Sequence, residues 1–235
     1  MKLLSVLFFF GIVKFVDAQN PVVIELFTSQ GCSSCPAADK NLVEIIEKAE
    51  TTGQKVYGLS FHVGYWNYIG WKDPYSSAEF TERQKKYASI KSLESIYTPQ
   101  MIVNGETEFV GSDKRTGSNE VDKALREKMQ FQISLKEIKK LDGKILVSYS
   151  LDKNPTDETI NLAIVEKNAG NEVTRGENSG RKLIHRNVVR LFTTLPAQKE
   201  GSFEMNFPRG IKNGEVILFL QNKHWRIIGA TGKIF

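Results

Sequence analysis

Both cysteines of the chain fall in one stretch, Glu25 to Ile46, which reads ELFTSQGCSSCPAADKNLVEII. The residues around them constrain the fold more than anything else in the sequence. PVVIELFT, just before the pair, is a continuous apolar run, the pattern of a buried strand. Pro36 stands where a first helical turn begins, and Leu42, Ile45, Ile46 and Ala49 follow at helical spacing. Cys32 and Cys35 are therefore expected between a strand and a helix N-terminus. A bridge across two residues closes too short a loop to stabilise a fold much. Redox chemistry or metal ligation is the better reason for such a pair. A thiol at a helix mouth meets unpaired N–H groups and partial positive charge, which lower its pKa. Cys32 is expected as the nucleophile and Cys35 as the resolving thiol.

The start of the chain bears on the redox compartment. Lys2 precedes an apolar run from Leu3 to Val13, and Val16-Asp17-Ala18 offers cleavage positions. Residues 1–18 read as a signal peptide. The run is shorter than the roughly 20 residues of a spanning helix, and Lys14 ends it. The mature chain is expected to be exported, periplasmic or secreted, with no stable membrane insertion. Disulfides persist in such compartments.

The rest of the sequence divides near Gln130. KVYGLSFHV reads as a second strand, and an aromatic stretch, GYWNYIGWKDPY, follows it. A polar helix is expected from Ser77 to Ser92. Then come TPQMIVNGETEFVGS, a hairpin turning at Asn104-Gly105, and a helix with Ser118 as its cap. From residue 131 onward, seven short alternating segments separated by turn residues predict an all-β, sandwich-like domain over 131–235. The charge is +5, with basic and acidic residues interspersed. Nothing in it favours nucleic acid as a partner.

The order strand, CxxC, helix, strand, helix, X-Pro, hairpin, helix resembles the thioredoxin superfamily. VVIELFTSQGCSSCP matches its active-site region, and YTPQMIVNGETEFVGS matches its proline-led hairpin. The resemblance implies a thioredoxin-like α/β domain over 19–130 with an insertion at 64–96. It also implies a cis peptide at Pro99, and exposure of the Thr98 backbone for an extended substrate segment. Glu25 becomes the candidate proton acceptor, one residue further from the pair than is usual. LFTSQGCSSCPAAD, FHVGYWNYIGWKDPYSS, YTPQMIVNG and VTRGENSGRKLIHRNVVR together are similar to a family of secreted bacterial thioredoxin-like proteins of unknown function.

The expected function is thiol–disulfide exchange on protein or peptide thiols and disulfides through Cys32 and Cys35, with no organic cofactor and no metal. Trp66 and Trp71, with Tyr65 and Tyr68, either line a substrate groove or bury the insertion. His62 either tunes the thiolate or ties down a loop. The segment Arg175 to Arg190 either faces a partner or the first domain, or forms a charged hairpin. Two other functions stay open. One is copper handling by the two thiolates with His62 or Met101, since soft ligands suit Cu(I). The other is a non-catalytic binding module on a thioredoxin-like scaffold.

Overall fold

Seven successive buried residues form β1 (Val22–Thr28). Because side chains alternate, β1 feeds two cores. Val22, Ile24 and Leu26 face α1 (Cys35–Thr52), while Val23 and Phe27 face the other way. In this computed structural model residues 20–235 are described, so the expected leader at 1–18 lies outside the described residues. Next come β2 (Val56–His62), a 3-10 helix (Gly64–Ile69) and α2 (Ala78–Lys91). The strands β3 (Gln100–Val103) and β4 (Thr107–Val110) and the helix α3 (Lys114–Ala124) complete the first half. Seven strands follow: β5 (Ile133–Leu141), β6 (Lys144–Leu151), β7 (Thr159–Val173), β8 (Arg181–Pro196), β9 (Glu200–Asn206), β10 (Gly214–Gln221) and β11 (Ile227–Ile234).

The fold is mixed α/β and mostly β. A large mixed sheet has the order β11-β10-β7-β8-β2-β1-β3-β4, and a small antiparallel sheet has the order β5-β6-β9. The seven strands expected after residue 131 all form. They do not make a separate sandwich, because β7, β8, β10 and β11 extend the sheet that β1 to β4 begin. The small sheet covers only the outer part of the large one, through Ile145, Val147 and Phe203 against Ile160, Leu162, Val216 and Leu218. The seam between the halves is a single parallel pairing, Ser60 with Val188. Side chains continue it: Ser60 Oγ donates to the Arg186 carbonyl at 2.9 Å, and Asn187 Nδ2 to the Gly58 carbonyl at 3.1 Å.

Local signals explain most boundaries. Ser77 caps α2 by accepting from Glu79 N, and Gly53, at φ 72°, ends α1. Asn104 and Gly105 both take positive φ in the three-residue β3–β4 loop, across which Glu106 N donates to the Val103 carbonyl at 2.9 Å. Gly105 has a second reason to be glycine: a Cβ there would meet the Trp225 carbonyl oxygen at 2.0 Å. The expected cap at Ser118 is corrected. Asp113 accepts from Thr116 N at 3.0 Å and starts α3 earlier, so Ser118 lies inside the helix.

On the α2 face, Glu25 is fully buried and its carboxylate is held by Arg83 and the Tyr87 hydroxyl. Arg83 lies against the rings of Phe61, Tyr87, Phe192, Phe219 and Trp225 and donates to Gln221 Oε1 at 3.1 Å. Burial opposes the guanidinium charge, but Glu25 outweighs it and raises the Arg83 pKa. Burial and the same carboxylate hold the Tyr87 hydroxyl well above its ordinary range. Removing one partner of a buried pair leaves the other charge uncompensated. Glu25→Gln is therefore expected to cost about 3–5 kcal/mol in urea unfolding. Adding Arg83→Met should recover most of that loss.

Candidate functional site

The chain turns sharply between β1 and α1. Cys32 N donates to the Ser29 carbonyl at 3.2 Å and Cys35 N to the Cys32 carbonyl at 3.3 Å. The two cysteines form a disulfide, with Cα atoms 5.4 Å apart. Cys35 is the first residue of α1, and Cys32 lies in the turn before it. Ser33 and Ser34 are exposed, yet Cys32 is only 1% exposed and Cys35 is fully buried. Ser34 Oγ lies 3.2 Å from Cys32 Sγ and donates to it, since the bridged sulfur carries no proton. The Thr98–Pro99 peptide is cis, and the Thr98 carbonyl oxygen is 3.9 Å from Cys32 Sγ.

Two segments cover this turn. The first is the aromatic insertion. Trp66 Nε1 donates to Thr98 Oγ1 at 2.7 Å, and Trp66 and Ile69 pack on Gly31. Trp71 Nε1 donates to Gln30 Oε1 at 3.2 Å. Tyr68 is exposed and stacks beside Trp66. The second is the tip of the β7–β8 hairpin. Asn178, itself fully buried, donates through Nδ2 to the carbonyls of Gln30 and Cys32 at 2.9 and 2.8 Å. Glu177 Oε2 accepts from Ser33 N at 2.8 Å. Gly176 packs on Ile69 and Trp71, which joins the two covers. Arg181 of the same hairpin donates to Asn178 Oδ1 at 2.8 Å.

Beneath the turn, on the α1 face, two histidines and two aspartates are buried together. His62 Nδ1 is 2.7 Å from Asp73 Oδ2, and Asp73 also accepts from Gln30 N at 2.8 Å. His185 Nδ1 is 3.4 Å from Asp39 Oδ2, which accepts from Thr28 Oγ1 at 3.3 Å. The two imidazoles meet edge to face, with centroids 4.6 Å apart. Gln30 Nε2 sits 3.0 Å from His185 Nε2 and donates to Asn171 Oδ1 at 2.6 Å. His62 thus ties the insertion to β2 through Asp73. Burial opposes charge on His185, but Asp39 and then Asp73 outweigh it and raise its pKa. Burial likewise opposes charge on Asp73, yet His62 and the Gln30 and Tyr75 amides leave its pKa below the ordinary 3.8.

Of the residues expected from sequence, Cys32, Cys35, Thr98, Pro99, Trp66 and Trp71 come together. Glu25 does not. Its side chain points to the sheet face opposite α1, and both its oxygens are taken by Arg83 and Tyr87. One residue of register on a strand reverses the face, and Leu26 occupies the α1 side instead. The acid on the α1 side is Asp39, four residues after Cys35 and so on the same helix face. Met101 packs in the core between α1 and the sheet. Among the described residues, no three His, Cys, Asp or Glu side chains are arranged to hold a metal ion. Of the alternatives for Arg175 to Arg190, the tip of the segment lies against the first half of the chain, where Glu177 and Asn178 bond to the cysteine turn. The signal that sequence reading missed was the helical spacing that sets Asp39 behind Cys35.

A family model of proteins of unknown function matches residues 23–221. The chain belongs to the DUF1223 family. This DUF1223 chain is also similar to a solved structure, protein AGR_C_4864 from Agrobacterium tumefaciens, a structural genomics target. The two are 28% identical with a TM-score of 0.69, over 91% of this chain and 94% of that one. Two structures of a β-glucosidase from Kluyveromyces marxianus, one with glucose, overlap 45% and 46% of the chain and 14% of the enzyme. They do so at 13% and 12% identity with a TM-score of 0.23, which carries no argument. No curated protein matches the chain. No helix among the described residues is long and apolar enough to cross a membrane.

The depressed Asp73 pKa has a direction in pH. Stability from its carboxylate is present above the ordinary value of 3.8 and is lost as pH falls through the lower folded value. Asp73→Asn should therefore destabilise by about 1–3 kcal/mol at pH 6. The gap between variant and parent in denaturant unfolding should narrow as pH falls below 3.8 and through the lower folded value.

Proposed function

We propose that this DUF1223 protein is an exported, thioredoxin-like thiol–disulfide exchanger acting on protein or peptide thiols and disulfides. The observation that carries the reading is the Cys32–Cys35 disulfide at the junction of β1 and α1. Such a bridge spans a separation of three and constrains little of the unfolded chain, so its value lies in its chemistry. Thr98 and Pro99 stand beside Cys32, which suits an extended segment laid along the Thr98 backbone. The leader of residues 1–18 supports export to a compartment where such a pair can cycle.

In the reducing direction the Cys32 thiolate attacks one sulfur of a substrate disulfide. A Cys32–substrate disulfide forms and the other substrate sulfur leaves as a thiolate. The Cys35 thiolate then attacks Cys32 Sγ, the internal disulfide re-forms, and the second substrate thiolate departs. The substrate gains two electrons and the protein loses two. The oxidising direction runs the same steps backwards. Ser34 Oγ, already on Cys32 Sγ, is placed to donate to the thiolate.

One observation favours the rival reading of a binding module with an inert bridge, namely the near-complete burial of Cys32. Equilibration with glutathione buffers separates the two. An exchanger should titrate between dithiol and disulfide within about −120 to −300 mV, the span of redox-active pairs. Cys32→Ser should abolish reduction of a peptide disulfide. A pair that stays oxidised across that range, in a protein that reduces or oxidises no peptide, would leave the inert bridge as the correct reading.

A further inference from the structure

The RGENSG segment lies 140 or more positions from the cysteines in sequence, yet its tip bonds directly to the turn that holds them. Three contacts define the arrangement. Asn178 Nδ2 takes the carbonyls of Gln30 and Cys32, and its own oxygen is held by Arg181. Glu177 places a carboxylate oxygen 2.8 Å from Ser33 N, the amide next to Cys32. Gly176, at φ 77°, lets the tip press on Ile69 and Trp71, where a Cβ would come within 2.7 Å of Ile69 Cδ1. The result is a cysteine that is 1% exposed between two exposed serines and the insertion.

These contacts oppose what a reactive thiol needs. A thiolate gains from nearby N–H donors and positive charge and loses from a neighbouring carboxylate. Glu177 takes the Ser33 N–H for itself and adds negative charge one residue from the sulfur. Its own carboxyl is held below the ordinary range by the Ser33 hydroxyl and amide, so it is ionised at neutral pH.

We infer that Glu177 and Asn178 are positioning residues that govern Cys32 from the far half of the chain: Asn178 holds the turn closed over the sulfur, and Glu177 keeps the closed site unfavourable to the thiolate. A substrate that lifts the tip exposes Cys32 and, in the same motion, frees the Ser33 N–H and removes the carboxylate. This rests on Cys32 being the exchanging thiol of the proposed function.

The test is alkylation by iodoacetamide in a full-length Cys35→Ser background, where Cys32 is the only thiol and no bridge can form. The rate against pH has two readouts. Its midpoint is the Cys32 pKa, and its high-pH plateau is the accessibility of the sulfur. Glu177→Gln keeps an acceptor for Ser33 N but removes the charge. It should lower the midpoint by a few tenths of a unit, about two- to threefold in thiolate ratio at fixed pH. That difference should shrink in about 1 M salt, where the Debye length is near 3 Å. Asn178→Ala should raise the plateau about tenfold. Gly176→Ala, which retains every polar group of the tip, should raise it in the same direction. An unmoved midpoint in Glu177→Gln, a shift indifferent to salt, or an unchanged plateau in both Asn178→Ala and Gly176→Ala would overturn the inference. These readouts need no substrate and no redox partner. Normal glutathione equilibration with unmoved readouts would sink the inference alone; failed equilibration with the expected shifts would sink the exchange reading alone.

Discussion

The fold hangs on a charge pair that water does not reach. Glu25, in the middle of β1, and Arg83, on α2, meet on the face of the large sheet away from α1, inside a ring of aromatic side chains. Such a pair contributes little net energy against an apolar substitute, because both ions are stripped of water. Its strength is specificity: neither group tolerates any position but the one facing the other. Arg83 reaches Gln221 on β10, so the pair also fixes how the second half of the large sheet lies against the first. The neighbouring Gln84 donates to the Tyr97 carbonyl at 2.7 Å and to Gln100 Oε1 at 2.9 Å. One turn of α2 therefore positions β1, β10 and the segment leading into Pro99.

The second half of the chain is part of the site as well as of the sheet. Its longest hairpin, β7 with β8, contributes His185 beneath the cysteine turn and Asn178 above it. The insertion supplies Asp73 to one histidine and Trp71 to the same Gln30 amide that faces the other. Three segments distant in sequence thus converge on one short turn. Most of the polar groups they bring are spent on one another or on the backbone, which leaves the turn closed and its sulfurs buried.

Local order was legible in the sequence and long-range placement was not. The strand before Cys32, the helix after Pro36, the Asn104-Gly105 turn and α2 follow from apolar periodicity, caps and turn chemistry, all of which act within a few residues. All seven later strands were visible for the same reason. Their partition between sheets was not, because an apolar strand buried on both faces reads alike in the middle of a large sheet and in a sandwich. β10, with Val216 and Leu218 in one core and Ile217 and Phe219 in another, is such a strand. Glu25 shows the other limit. Its proximity in sequence suggested a role at the thiols, but strand alternation turns it to the opposite face. Glu177 and Asn178 carry no local signal of their targets, since their partners are backbone atoms more than 140 residues away.

The seam at Ser60 and Val188 bears on how this chain can be divided. Without the second half, β2 would become the edge of a sheet, losing the Ser60–Val188 pairing and the Arg186 and Asn187 bonds beside it, next to the apolar Leu59 and Phe61. An apolar edge of that kind is a template for strands of other molecules, and natural sheets protect such edges with charge, bulges or a covering strand. Here β8 is the covering strand. The C-terminal half is in this sense a built-in guard against aggregation, and a first half isolated near Gln130 would carry a self-associating surface that the intact chain never presents.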